Sequence, residues 1–376
     1  MNLRRTHLYD YHVKHARMTE FAGFEMPLWY KGIIPEHMAV RNAVGIFDVS
    51  HMGRVIIEGK DAEKFVNYIV TNDIKEADIL GAKYTVMCNE NGGIIDDAIV
   101  YKLAEDKFLQ VFNAANREKD YNWLIKHSKN FEVKIIDLSD EIAMLAIQGP
   151  KAVELLNEIS IEKLDNLRRF SCKWTEIEEV KVLAARTGYT GEDGFELYLW
   201  NTPLENPKNA FKVWSKILEV GKKYGIEACG LGARDSLRLE AGLCLYGNDI
   251  DEKTTPLEAR LSFVVKFDKG DFIGRESLLK QKAEGVKRVR VGIKMIERGI
   301  PRKGYKVYIN NELIGVVTSG GFSPLLKCGI AMAYIKKDFA NVGEELYVNI
   351  RGKRVKGEIV KFPFYDPTKY GYGRLK

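Results

Sequence analysis

The chain has 376 residues, 45% hydrophobic and 29% charged, which fits a packed globular protein of two to three domains and excludes a disordered or fibrous one. Its 58 basic and 52 acidic residues leave a net charge of +6 with no dense Lys/Arg block, a balance that suits an acidic partner or anionic substrate better than nucleic acid. No apolar run reaches the roughly 18 residues needed to cross a bilayer, residues 1–17 lack the apolar stretch of a secretion signal, and the cytoplasm is the expected compartment.

In chain order, residues 35–44 read as a helix with Pro35 in its first turn, stopped by Gly45. A strand over 54–58 ends at Gly59, and Asp61 is the expected N-cap of a helix carrying Phe65 and Ile69 on one face. Strands follow at 83–88, 94–103 and 108–113 around a turn at 89–93, then a helix at 116–126, an α+β order. The middle of the chain repeats this mixed style. Gly149 and Pro150 open a helix, β-rich runs surround 186–199, and amphipathic helices cover 207–223 and 230–241. From Arg288 onward, alternation of period two at 289–293, 305–309 and 346–350, with turns at Asn310-Asn311 and Arg351-Gly352, predicts a compact antiparallel barrel. The basic stretch 280–290 marks its boundary, and no tandem repeat stands out.

Nucleotide and metal motifs are missing. Gly59-Lys60, Gly221-Lys222 and Gly352-Lys353 lack the Ser or Thr of a phosphate-binding loop, and the glycines of 188–194 do not follow the strand, turn, helix order of a dinucleotide fingerprint. The five cysteines form no C-x-x-C pair, and His7, His12 and His15 fit no zinc spacing. No metal is expected.

Three constellations carry chemistry. Gly92-Gly93-Ile94-Ile95-Asp96-Asp97 sets two carboxylates at the start of an apolar strand. Adjacent strand residues point to opposite faces, so only one of the pair can look into a given cavity. A carboxylate in an apolar wall is unfavourable unless hydrogen-bonded or functional, and pattern alone weighs a catalytic group equally with a polar turn and its capping aspartate. In 186–199, glycines permit close backbone approach to a ligand, Tyr189 offers a stacking face and Glu196 interrupts an apolar strand, although a plain hairpin has the same pattern. In 232–242, Arg234 and Arg238 share a helical face at i, i+4. They either hold a carboxylate or, as pattern alone favours, pair with Asp235 and Glu240 on a solvated surface.

Further marks are Phe21-Ala22-Gly23-Phe24-Glu25-Met26-Pro27, Asp48-Val49-Ser50-His51-Met52-Gly53, Leu245-Tyr246-Gly247-Asn248-Asp249 and Thr255-Pro256-Leu257-Glu258-Ala259. Together with the three constellations, these segments resemble the T-protein of the glycine cleavage system, the aminomethyltransferase family, from Thr6 to Tyr365.

The resemblance implies an α+β fold: a three-domain cloverleaf in which two mixed α/β domains, with ferredoxin-like and Greek-key elements, and a C-terminal antiparallel β-barrel surround a central folate-binding opening. The expected division is 1–47 plus 141–284 as a discontinuous domain, 48–140 carrying Asp97, and 285–376 as the barrel. It also implies transfer of the aminomethyl carbon from the lipoyl arm of the H-protein to tetrahydrofolate, giving methylenetetrahydrofolate and ammonia. Tetrahydrofolate is then a co-substrate and the lipoylated H-protein a partner, with no nucleic acid or membrane involved. The mild basic excess suits docking of an acidic carrier.

Carried over by motif, Asp97 is the essential carboxylate near the pterin nitrogens. Tyr84, Asn113, Tyr189, Glu196 and Arg234 are folate contacts, Met52 lies close to the ring, and Asp96 is a structural neighbour. Attack by a pterin nitrogen on a methylene carbon needs a positioned nucleophile and a route for protons. Asp97 suits an orienting and electrostatic role rather than that of nucleophile. Glu196 suits the amino and lactam edge of a pterin, and Arg234 the glutamate tail. Residues 370–376 depart from the family pattern and leave open which tyrosine or arginine reaches the site.

Two other functions use the same fold. A non-catalytic folate-binding protein of iron–sulphur assembly carries K-G-C-Y-x-G-Q-E, whereas here Lys269-Gly270-Asp271-Phe272-Ile273-Gly274-Arg275-Glu276 has aspartate in place of the cysteine. A tetrahydrofolate-dependent demethylase of a small methylated compound is less well separated, although the match through 246–251 favours the glycine system.

Overall fold

The computed structural model describes residues 3–375. One five-stranded sheet has the order Ala82–Cys88, Ile94–Ala104, Lys107–Phe112, Gly53–Glu58, Lys134–Asp137. A six-stranded sheet has the order Cys172–Ile177, Val180–Ala185, Gly194–Leu199, Ala143–Gln148, Val44–Asp48, Ile226–Ala228. Six later strands, from Arg288–Met295 to Lys353–Val360, close into an antiparallel barrel. The period-two runs supply its interior: Val289, Val291 and Ile293 pack with Val307, Ile309, Leu346 and Val348. The hairpin ends Asn310-Asn311 and Arg351-Gly352 all take positive φ, as tight turns of matching twist require.

The five- and six-stranded sheets are built alike. Each starts with one strand (Gly53–Glu58 or Ala143–Gln148), passes a helix (Ala62–Ile69 or Ala152–Ile159), and returns as a meander whose last strand pairs with the first. Single polar anchors recur at matching places. Asn67 Oδ1 accepts from the Ile74 N–H as Asn157 Oδ1 does from Leu164, and Thr85 Oγ1 accepts from Asn72 as Thr175 Oγ1 does from Glu162. The halves meet reciprocally, Ala82 N–H donating to Phe170 O at 2.8 Å and Cys172 N–H to Leu80 O at 2.7 Å. Isolated anchors of this kind leave no run of identical residues, so the duplication is invisible as a sequence repeat.

Local expectations shift in two places. The first long helix is Ile33–Asn42 rather than 35–44. Gly45 already lies in the strand Val44–Asp48, where a Cβ would sit 2.5 Å from Val40 and 2.7 Å from Cys229, so close packing rather than helix termination selects glycine. Asp61 precedes helix Ala62–Ile69 but makes no side-chain cap, because its carboxylate accepts the Glu132 N–H at 2.9 Å and ties down a neighbouring loop.

Helix Leu231–Ala241 packs between helix Ile33–Asn42 and the barrel strands Glu312–Ser323 and Cys328–Lys336. Buried charges lock it there. Arg238 donates to Asp235, to Asp249 at 2.8 Å and to Ser319 at 3.0 Å, while Glu240 accepts from Arg41 and from Ser323 at the barrel.

Candidate active site

A cavity of about 900 Å³ opens where the five- and six-stranded sheets face the segment 242–264. Met52, Tyr84, Asp97, Asn113, Tyr189, Glu196 and Arg234 all stand on its wall.

Strand alternation separates the two carboxylates. Asp97 pairs with Val86 across the ladder and faces the cavity, whereas Asp96 pairs with Met87 and turns into the core beneath helix Arg117–His127, fully buried. Tyr84, two residues before Val86 on the same face, donates its hydroxyl to Asp97 Oδ2 at 3.0 Å. Asn113, just past strand Lys107–Phe112, donates its side-chain amide to Asp97 Oδ1 at 2.8 Å. Burial, reinforced by the neighbouring Asp96, pushes the Asp97 carboxyl up to about 7, while the Tyr84 and Asn113 hydrogen bonds oppose the shift.

Across the cavity, Glu196 lies in the strand Gly194–Leu199 at the end of a directed chain of hydroxyls. Tyr198 donates to Tyr101, Tyr101 to Thr187, and Thr187 to Glu196 Oε2 at 2.6 Å. Burial raises the proton affinity of Glu196, and the Thr187 hydrogen bond opposes this. The loop 187–193 lies flat on Gln148, and a Cβ at Gly188 would fall 1.9 Å from Gln148 Oε1. That close approach carries Tyr189 to the wall, where its hydroxyl donates to Cys244 O.

The two arginines of helix Leu231–Ala241 diverge. Arg238 is buried in its ion pairs, not solvated as pattern alone favoured. Arg234 lies over the Tyr189 ring, 4.6 Å from its centroid, and has no carboxylate partner among the described residues.

Sequence reasoning quoted His51 in a motif but gave it no role, yet it stands on the cavity wall beside Met52. Its Nδ1 is buried without a hydrogen-bond partner among the described residues, and burial, with Arg234 nearby, lowers its pKa to about 3. The ring is therefore neutral. Buried Arg54 holds this turn by donating to Met52 O at 2.8 Å and Ser50 O at 2.9 Å. Its signal was the polar Ser50-His51 step between strands, too short to separate from an ordinary turn.

The question left open at residues 370–376 resolves for the described part. Phe362 reaches the cavity wall, and none of residues 366–374 does. Those residues instead brace loop 187–193 from behind: Gly371 N–H donates to Glu192 at 3.0 Å, Tyr372 N–H to Gly191 O at 3.0 Å, and Arg374 to Glu192. Lys376 lies outside the described residues.

The family model described as the GCVT N-terminal domain matches residues 8–269, and that of the glycine cleavage T-protein C-terminal barrel domain matches 288–366. The aminomethyltransferase of Caldanaerobacter subterraneus subsp. tengcongensis is 51% identical, over 97% of this chain and 96% of the relative. The probable aminomethyltransferase of Pyrococcus horikoshii is 48% identical, over 99% of each chain. The crystal structure of glycine cleavage system aminomethyltransferase T from Bartonella henselae superposes with a TM-score of 0.89 at 36% identity, covering 98% of this chain and 99% of that one. An α+β fold with a closed C-terminal barrel, a cavity walled by the Asp97 carboxyl and by an Arg234 guanidinium with no carboxylate partner among the described residues, and matches along both parts of the chain lead to one conclusion: it belongs to the glycine cleavage T-protein family of aminomethyltransferases.

Proposed function

We propose that this enzyme transfers the methylene carbon of an aminomethyl group, carried on the lipoyl arm of the glycine cleavage H-protein, to tetrahydrofolate with release of ammonia. One observation carries the reading: Asp97, held by Tyr84 and Asn113, shares a cavity wall with the Arg234 guanidinium, which has no carboxylate partner among the described residues. A reduced folate has both matching ends. Its ring nitrogens are donors for a carboxylate, and its glutamate tail is an acceptor for a guanidinium. Tyr84 and Phe263, stacked with centroids 6.4 Å apart, add aromatic surface, and Glu196 offers an acceptor to the amino edge of the ring.

In this reading Asp97 accepts a hydrogen bond from the attacking nitrogen and stabilises positive charge developing at the methylene carbon. The new carbon–nitrogen bond forms as the bond to the amine breaks, and the amine departs as ammonia with the proton that the attacking nitrogen gives up. A second folate nitrogen then displaces the lipoyl sulphur, which leaves as a thiol with that nitrogen's proton. Tyr84 and Asn113 fix the Asp97 carboxylate, and the neutral ring of His51 adds no competing charge.

The roles of Met52, Tyr84, Asn113, Tyr189, Glu196 and Arg234 as folate contacts belong to this proposal. So do the cytoplasmic location and the division into 1–47 plus 141–284, 48–140 and 285–376. No helix among the described residues is long and apolar enough to cross a membrane. The test mixes purified protein, aminomethyl-loaded lipoyl H-protein and tetrahydrofolate, and measures ammonia and methylenetetrahydrofolate. Stoichiometric formation of both is expected. No product from that donor, with turnover of methylated small molecules instead, would replace the reading by a demethylase.

A further inference from the structure

Behind the catalytic wall lies a third carboxyl that the reaction as described does not use. Asn116 donates its side-chain amide to Asp96 Oδ1 at 2.8 Å, and Asp120 follows one helical turn later on the same face of helix Arg117–His127. Asp120 is fully buried, and neither of its oxygens receives a hydrogen bond from any described residue. The cations of its own helix have other partners, although Arg117 Nη1 is buried with none among the described residues. Lys119 donates to Ile95 O at 2.7 Å, to the Tyr246 hydroxyl at 2.8 Å and to Glu252, and Arg117 donates to Asp140. The carboxyl it is set against is that of Asp96, because Asp120 lies one turn beyond the Asn116 amide that touches Asp96, and each of the two acts on the proton affinity of the other.

Two buried carboxyls in contact can hydrogen-bond only if one of them carries a proton. Asp96 already accepts from the Asn113 backbone and side-chain N–H groups and from Asn116, which favours its charged form. Asp120 has no such donors. We propose that Asp120 is a positioning residue held as the neutral carboxylic acid, donating its proton to Asp96 and so fixing Asp96 as the single charge behind Asp97. Burial and the Asp96 charge act on Asp120 in the same sense, raising its proton affinity well above that of an ordinary aspartate. The role of this charge in catalysis rests on the reading of Asp97 above, whereas the protonation state of Asp120 can be read independently of turnover.

The full-length wild type and Asp120→Asn are compared by infrared difference spectroscopy at neutral pH and by the pH profile of kcat/KM. A protonated-carboxyl carbonyl band present in wild type and lost in Asp120→Asn is expected. Asparagine keeps a donor to Asp96 without changing charge, so the midpoint of the pH profile is expected to stay in place. A lowered midpoint in Asp120→Asn would mean that a negative charge had been removed, and would overturn the proposal, as would absence of the band. Wild-type protein labelled with ¹³C at the aspartate carboxyls needs no substitution, and one resonance held at its acid position across neutral pH is expected. Failure of folate turnover with the band present would reject the transfer reaction and leave the proton assignment standing.

Discussion

Asn113 donates one side-chain amide nitrogen to both members of the aspartate pair, 2.8 Å from an oxygen of Asp96 and 2.8 Å from an oxygen of Asp97. A single donor thus couples the core carboxylate to the cavity carboxylate, and fixes where Asp97 points by tying it to a residue that cannot move. Asn113→Leu removes that bridge and leaves two neighbouring carboxylates with less compensation. We expect kcat to fall by about 10–100-fold and the Asp97 midpoint in the pH profile to rise, because the lost donor favoured the charged form. An unchanged midpoint would show that the amide does not act on Asp97.

Asp97 itself links stability to pH. An aspartate in the unfolded chain titrates near 3.8, whereas the folded environment raises Asp97 to about 7. Between these values the unfolded chain has released a proton that the fold retains, so the stabilising contribution of protonated Asp97 declines from about pH 4 to pH 7 and is gone above. Asp97→Asn has no charge to bury. It is expected to lose about 10²- to 10³-fold in kcat while showing a higher Tm than wild type above pH 7. A near-normal rate of methylenetetrahydrofolate formation would reject the catalytic assignment.

The two arginines of helix Leu231–Ala241 predict opposite phenotypes. Arg234 stands at the cavity without an ion pair, so Arg234→Gln should leave Tm nearly unchanged and raise the folate KM by about tenfold or more. Arg238 is buried with Asp249 and Ser319 and also pairs with exposed Asp235, and Arg238→Met leaves Asp249 charged and short of a donor. That change should destabilise the protein by about 3–5 kcal/mol, read as a large drop in the denaturation midpoint. If both variants altered only KM, the division between binding and structural arginine would be wrong.

That division also marks where sequence reading stopped. Period-two alternation was enough to divide Asp96 from Asp97 and to lay out the barrel interior, because both depend on neighbours a few positions away. The i, i+4 spacing put Arg234 and Arg238 on one side of a helix and offered Asp235 as a local partner, which Arg238 does hold, but its buried partners come from segments around 249 and 319, which no local pattern brings together. The same limit hid the bracing of loop 187–193 by Gly371 and Tyr372, and the burial of Asp120 behind the Asp96 carboxyl. The duplicated sheets escaped notice because they share hydrogen-bonding anchors such as Asn67 and Asn157, not a repeated stretch of side chains.

Lys269 tests the distinction from the non-catalytic folate-binding relatives, whose comparable segment bears a functional cysteine two residues later. In this chain the segment does structural work at the end of helix Ala62–Ile69. The Lys269 ammonium donates to Val70 O at 2.6 Å, to Asn72 O at 2.8 Å and to Asn67 O, gathering carbonyls that the helix terminus leaves unpaired. Lys269→Met keeps the apolar stem and removes the donor. A loss of about 2–3 kcal/mol in stability is expected, since several buried carbonyls lose their shared donor together. Because neither Lys269 nor Asp271 lines the cavity, kcat for the folded fraction should hold, and Asp271→Cys should alter neither turnover nor folate KM. A selective loss of turnover in Lys269→Met, with Tm unchanged, would place this segment in the reaction and contradict the structural reading.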